Sequence, residues 1–201
     1  LGAMPAMAAT PAAVKVSPER QKATHDMFEH VVNIPTVFGR GKVPEMANYL
    51  ADQYKAAGFP AEDVEVVSYD STDPIAKVTE KTAALIVRWR APGKAKAKPI
   101  MLMGHMDVVE AKREDWPRDP FKMVEENGYL YGRGAIDMKS GIAAIANSLL
   151  WLKAEGFKPK RDIIILFTGD EETSANGAKR AVAEWRDLID AEYALNGDAG
   201  G

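Results

Sequence analysis

The sequence has no cysteine among its 201 residues. That excludes disulfides and thiolate metal sites together, so any bound metal must be held by histidine, aspartate and glutamate. Histidine itself is scarce, with three in the chain. No apolar run approaches the ~20 residues needed to span a bilayer, and no membrane is expected as a partner. Nor is there a basic excess: the formal net charge is −3, whereas a nucleic-acid binder carries a clustered basic surplus. The one basic run, Lys94, Lys96 and Lys98, lies between Pro92–Gly93 and Pro99. Its turn chemistry predicts a solvated hairpin loop.

What is present suits a globular domain with a substantial core, with 46% hydrophobic and 27% charged residues. The N-terminus stands apart. Leu1–Ala13 is uncharged and rich in Ala and Met, and the chain opens with Leu. Ala6-Met7-Ala8 matches the small-x-small end of a secretory signal, but the basic and long apolar parts of one are missing. Two readings stay open. An export remnant would make the protein periplasmic or secreted; a leader of other origin would leave it cytoplasmic. In either case residues 1–14 are expected to be disordered, with the domain running over 15–201.

Ser17-Pro18-Glu19 is a helix start, with a capping hydroxyl, a proline at the first helical position and an acid in the first turn. Ala23, Met27, Phe28, Val31 and Val32 follow at helical spacing up to Ile34-Pro35. A second helix follows Pro44, with Met46, Ala47, Leu50 and Tyr54 on one face and Gly58 at its end. Strands are predicted at Val64–Tyr69, Ala83–Trp89, Ile100–Met103, Tyr129–Tyr131, Ile163–Phe167 and Tyr193–Leu195. The run Ile163–Phe167 is apolar throughout, the mark of a strand buried on both faces. Helices are predicted at Gly141–Lys153, with Ile142, Ile145, Ala146, Leu149 and Leu152 inward, and at Asn176–Leu188. This alternation predicts an α/β fold, a three-layer sandwich around a mixed, largely parallel sheet.

Four polar clusters fall in equivalent places. Gly104-His105-Met106-Asp107, Gly169-Asp170-Glu171-Glu172-Thr173 and Gly197-Asp198 each follow a predicted strand, and Asp137 leads into the helix at Gly141. Ligands of open α/β sheets gather at the carboxyl edge of the strands, where segments distant in sequence converge. Singly, each cluster has a plain structural explanation. His105 suits a surface or capping histidine, Glu171-Glu172 a solvated acidic pair, Asp137 a helix cap and Asp198 a turn. Together they argue for one site. One imidazole with several carboxylates is an N/O donor set for zinc, manganese or cobalt. Such a crowd of carboxylates stays ionised only if cations neutralise it. A carboxylate two residues from His105 can fix the ring's tautomer, and of two adjacent glutamates one can bind metal while the other takes a proton from bound water, whose pKa zinc lowers from 15.7 to about 7. His25 and His30 lie on the first helix and are read as surface or boundary residues, and Trp116, Trp151 and Trp185 as core or interface anchors.

The set Gly-His-Met-Asp-Val-Val (104–109), Asp-Pro-Phe (119–121), Gly-Arg-Gly-Ala-Ile-Asp-Met-Lys-Ser-Gly (132–141) and Gly-Asp-Glu-Glu-Thr (169–173) resembles the family of co-catalytic zinc exopeptidases and deacylases. That family includes glutamate carboxypeptidase, dipeptidases, aminoacylase, acetylornithine deacetylase and succinyl-diaminopimelate desuccinylase. The resemblance covers most of the chain from about Ser17 and implies specific roles. Two divalent ions, zinc first with cobalt or manganese as alternatives, would be held by His105, Asp137, Glu172 and Asp198. Asp137 would bridge them beside a cis peptide, Asp107 would orient His105, and Glu171 would be general base. The implied activity is hydrolysis of a peptide bond as a carboxypeptidase or dipeptidase, or of an N-acyl amino acid as a deacylase. A non-catalytic metal-binding fragment is the alternative of another class. Family members are longer and take their last histidine ligand, and a lid that supplies homodimer contacts, from a C-terminal part. The chain is therefore expected to be an N-terminal portion, poorly active by itself.

Overall fold

The computed structural model describes residues 16–95 and 97–198; the leader over 1–14 lies outside them. The first helices form where their caps require. α1 spans Pro18–Val32, with the Ser17 hydroxyl accepting from the Arg20 N–H. α2 spans Val43–Ala56 with Pro44 in its first turn, and Gly58 follows its end at φ +84°. Met46, Ala47, Leu50 and Tyr54 are fully buried on one face of α2.

Five strands make the main sheet: β1 (Val64–Thr72), β2 (Thr79–Trp89), β3 (Ile100–His105), β6 (Ile163–Thr168) and β7 (Tyr193–Asn196), in the order β1-β2-β6-β3-β7. β2 is antiparallel to both β1 and β6, while β3 is parallel to β6 and β7. Four strands thus share one direction, and β2 alone opposes them. The expected mixed, largely parallel sheet is what forms.

The alternation along β2 and β6 divides the core into two layers. Leu85, Val87, Ile165 and Phe167 face α1, α2 and α3 (Lys139–Ala154), together with Met46, Leu50, Ile142 and Ala146. Ala84, Ile86, Ile164 and Leu166 face Ala181, Trp185 and Ile189 on the other side. With helices on both faces, β6 is apolar from Ile163 to Phe167 because neither face meets water. Burying side chains of this kind contributes about 1.5–3 kcal/mol each.

Three local expectations are corrected. The segment carrying Lys94 and Lys98 is no hairpin loop, because β2 and β3 are not neighbours; it passes over the start of β6, which sits between them. Lys96 lies outside the described residues. The predicted helix over Asn176–Leu188 is two helices, α4 (Asn176–Ala183) and α5 (Arg186–Ile189). The helix breaks so that Trp185 can turn inward against Tyr69, with ring centroids 5.6 Å apart. The third is an omission: Val124–Glu126 forms β4, paired with β5 (Tyr129–Tyr131) through Asn127-Gly128, both at positive φ. That geometry is the one a two-residue hairpin requires.

Candidate metal centre

The carboxyl edge of the sheet gathers the polar clusters through strand register. β3 and β7 run in parallel with Met103 opposite Asn196, and the Gly197 N–H donates to the Met103 carbonyl. Two residues further on, His105 and Asp198 therefore arrive side by side. On the other flank His105 is opposite Thr168 of β6, which brings the Gly169–Thr173 turn alongside Asp107. Asp137 comes from the turn before α3. A Cβ on Gly104 would collide with Met138, so a bare glycine lets that turn close onto β3.

The resulting geometry centres on one ring. His105 is 2% exposed. Its Nε2 lies 2.9 Å from Asp137 Oδ1 and 3.9 Å from Asp198 Oδ2. Donor atoms of these three residues all lie within 4.8 Å of one another. The other ring nitrogen, Nδ1, is 3.0 Å from the Asp107 backbone carbonyl and 3.4 Å from its carboxylate. The sequence led us to expect the carboxylate to be the ring's nearer partner. Instead that carboxylate accepts the backbone N–H groups of Glu171 and Glu172, each at 3.0 Å. Asp107 therefore joins the histidine segment to the acidic turn.

Electrostatics fit a cation. Burial would push the His105 imidazole down, but hydrogen bonding to Asp107, the Asp107 charge and hydrogen bonding to Asp137 raise it to about 9. The Glu172 carboxyl is raised, first by desolvation and then by the charge of Asp137. The His105 shift reports the negative partners around the ring, and the Glu172 shift reports burial first and the neighbouring acids second. A set of one buried imidazole, one half-buried and one exposed carboxylate, with further acids at its rim, is a donor set that zinc accepts.

Not every candidate enters the close group. Glu172 is half-buried at the rim and Glu171 is exposed; neither belongs to the set formed by His105, Asp137 and Asp198. The helix-cap explanation of Asp137 does not hold, since α3 has Met138 at its N-cap and no side-chain cap. The peptide between Asp137 and Met138 is cis. His25 and His30 are on α1, the latter stacked on Tyr49 at 3.8 Å. Trp185 is buried, and Trp116 is half-buried beneath the Arg133 guanidinium.

Asp170 was not singled out from sequence. It is 1% exposed. Its Oδ1 accepts from the Tyr69 hydroxyl at 2.8 Å and the Gly177 N–H at 2.9 Å; its Oδ2 accepts from the Ser174 hydroxyl at 2.8 Å and the Asn176 N–H at 3.0 Å. One carboxylate thus caps α4 and pins the turn that carries Glu171 and Glu172. An acid two residues past the end of β6, in a turn opened by Gly169, was the available signal.

The fold and site define a class, and comparison with known proteins names it. The family model described as peptidase family M20/M25/M40 matches residues 101–201, and the chain belongs to that family. Among curated proteins, the chain is similar to the N-fatty-acyl-amino acid synthase/hydrolase PM20D1 of Mus musculus, 32% identical over 169 residues, covering 83% of this chain and 32% of that protein. A probable succinyl-diaminopimelate desuccinylase of Staphylococcus aureus strain Mu50 is 36% identical over 137 residues, 67% of this chain and 30% of that protein. The chain spans about a third of the length of the curated relatives it matches. Among solved structures, human carnosine dipeptidase 1 superposes with a TM-score of 0.74 at 22% identity, covering 90% of this chain and 39% of that one. At that identity the likeness shows the shared fold.

Proposed function

We propose that this chain carries the metal-binding half-site of a metal-dependent hydrolase that cleaves an amide bond. The observation that carries the reading is the convergence of His105, Asp137 and Asp198 around one point at the sheet edge, with two further glutamates at its rim. His105, Asp137, Asp198 and Glu172 would hold two divalent ions, with Asp137 between them. When bound, these ions supply Lewis-acid polarisation of the scissile carbonyl and a water acidic enough to ionise near neutral pH.

The chain's own residues do the rest. Asp107 fixes both the His105 ring, through its backbone carbonyl, and the backbone of the acidic turn, through its carboxylate. Glu171 projects from that turn into solvent, free to take a proton from the attacking water and return it to the leaving amine. The proposed substrates are small peptides, with the enzyme acting as a carboxypeptidase or dipeptidase. A second reading, hydrolysis of N-acyl amino acids, is favoured by the names of the two curated relatives.

The test uses the longest polypeptide that carries these residues, supplied with zinc, cobalt or manganese. A panel of dipeptides and N-acyl amino acids is assayed for amine release. Turnover of one group separates the two readings, and no turnover of either with any metal defeats both. Glu171→Gln should abolish turnover while leaving metal content unchanged; equal loss of both would make Glu171 a ligand. A purely metal-binding domain would show binding without turnover in the parent protein too.

A further inference from the structure

Lys139 is the one lysine or arginine buried among the described residues, and it is 0% exposed. It sits two residues after Asp137, on the first turn of α3, yet its ammonium's hydrogen bond goes to a backbone carbonyl and not to an acid. Its Nζ donates to the Ile34 carbonyl at 2.6 Å, across 105 positions of sequence. The stem passes Gly134, where an added Cβ would lie 3.2 Å from Lys139 Cδ. Burying an ammonium costs several kcal/mol, which an apolar side chain of the same length would avoid.

The Ile34 carbonyl is part of a brace. It also accepts the Thr36 N–H at 2.9 Å. Thr36 is fully buried; its hydroxyl donates to the Met106 carbonyl at 2.6 Å and its carbonyl accepts the Val108 N–H at 3.1 Å. Thr36 therefore grips the backbone on either side of Asp107. Met106 is in turn tied to Thr168 of β6 at 2.7 Å. At its other end, the Lys139 backbone N–H donates to the Gly134 carbonyl at 2.9 Å, closing the turn that presents Asp137.

We propose that Lys139 is a positioning residue: through Ile34 and Thr36 it fixes the turn carrying Asp137 at a set distance from the segment carrying His105 and Asp107, so that the ligands stand ready for the cation. Besides this strut, the two segments meet through Met138, whose sulfur accepts the His105 N–H at 3.1 Å, and through the contacts of the ligands themselves. Side chains outside the ligand set that hold it in place typically change metal affinity by 10–100-fold when removed. The inference rests on the metal-centre reading above.

Cobalt is the probe, because its visible absorption reports ligand geometry as well as occupancy. The chain is titrated with Co²⁺ as parent, Lys139→Met, Thr36→Val and the double variant, with circular dichroism to establish folding. Each single substitution should weaken cobalt binding about tenfold or more and shift the absorption band. The double variant should be no weaker than the weaker single, because both cut one strut. Parent-like affinity and spectrum in Lys139→Met, or two independent additive losses, would overturn the proposal. A residue that serves stability alone would lower the melting temperature and leave both readouts unchanged. If Lys139→Met does not fold, Thr36→Val carries the test alone, and its parent-like binding overturns the proposal. A parent chain that binds no cobalt defeats the metal-centre reading itself, an outcome distinct from any difference between variants.

Discussion

Two groups of carboxylates share the same sheet edge and live under opposite conditions. Asp107 and Asp170 are 3% and 1% exposed, and every one of their carboxylate oxygens accepts a hydrogen bond. Asp137 and Glu171 are exposed, and Glu172 and Asp198 half-buried, with few donors aimed at them. Charge buried with full satisfaction shapes the chain; charge gathered at the surface without partners is available to a ligand. The same side-chain chemistry thus builds the frame in one layer and the binding surface in the next.

The comparison breaks most visibly at Asp170. Asp170→Asn keeps the shape but sets amide hydrogens against donors, and should destabilise the chain by about 3 kcal/mol in urea unfolding. Next comes the outer group. Zinc at a hundredfold excess over its dissociation constant should add about 2.7 kcal/mol to the parent, and chelation should remove it. Asp137→Ala should abolish that gain yet change metal-free stability by less than about 0.5 kcal/mol. A large metal-free loss would place Asp137 with the frame. Tyr69→Phe deletes a hydroxyl that donates to Asp170 and accepts from Gly169 at 3.1 Å, and should cost about 1.5 kcal/mol by the same unfolding measurement.

The smallest expected effect is at Glu80, whose half-buried carboxylate accepts the Gly39 N–H at 2.8 Å. Desolvation raises this carboxyl above its ordinary 4.5, against the lowering effect of the Gly39 and Gly41 N–H groups. A raised folded value means that the unfolded chain ionises first. The stabilising contribution is therefore present below the ordinary value and lost as pH rises through the folded one. Glu80→Gln, which cannot ionise, should lose less stability than the parent over that window. Parallel urea midpoints across the series would show that Glu80 does not titrate there.

Much of this was legible in the chain. Helix starts at Ser17-Pro18 and near Pro44 carry local chemistry, and the all-apolar Ile163–Phe167 marked the central strand because both its faces are covered. His105, Asp137 and Asp198 could be grouped because three strand ends and one helix start must share an edge. The hairpin at Asn127-Gly128 was missed, because Val124–Glu126 is short and too polar to read as a strand. What could not be read was which partner each acid takes. Asp107 turning its carboxylate to the backbone of Glu171 and Glu172, and Lys139 reaching Ile34, depend on contacts across 64 and 105 positions. No local periodicity encodes these. The break before Trp185 likewise follows from Tyr69 on a distant strand.

The place of β6 has a consequence for how the polypeptide is made. Its neighbours β2 and β3 leave the ribosome first, and about 60 residues separate the end of β3 from the start of β6; at roughly 5–20 residues per second the delay is several seconds. During that interval β2 can pair with β1 on one edge only, and β3, whose partners β6 and β7 both come later, has neither neighbour. A nascent chain with this order of assembly exposes sticky edges. It should be a better client of ribosome-associated chaperones than a protein of equal size whose central strand is made early.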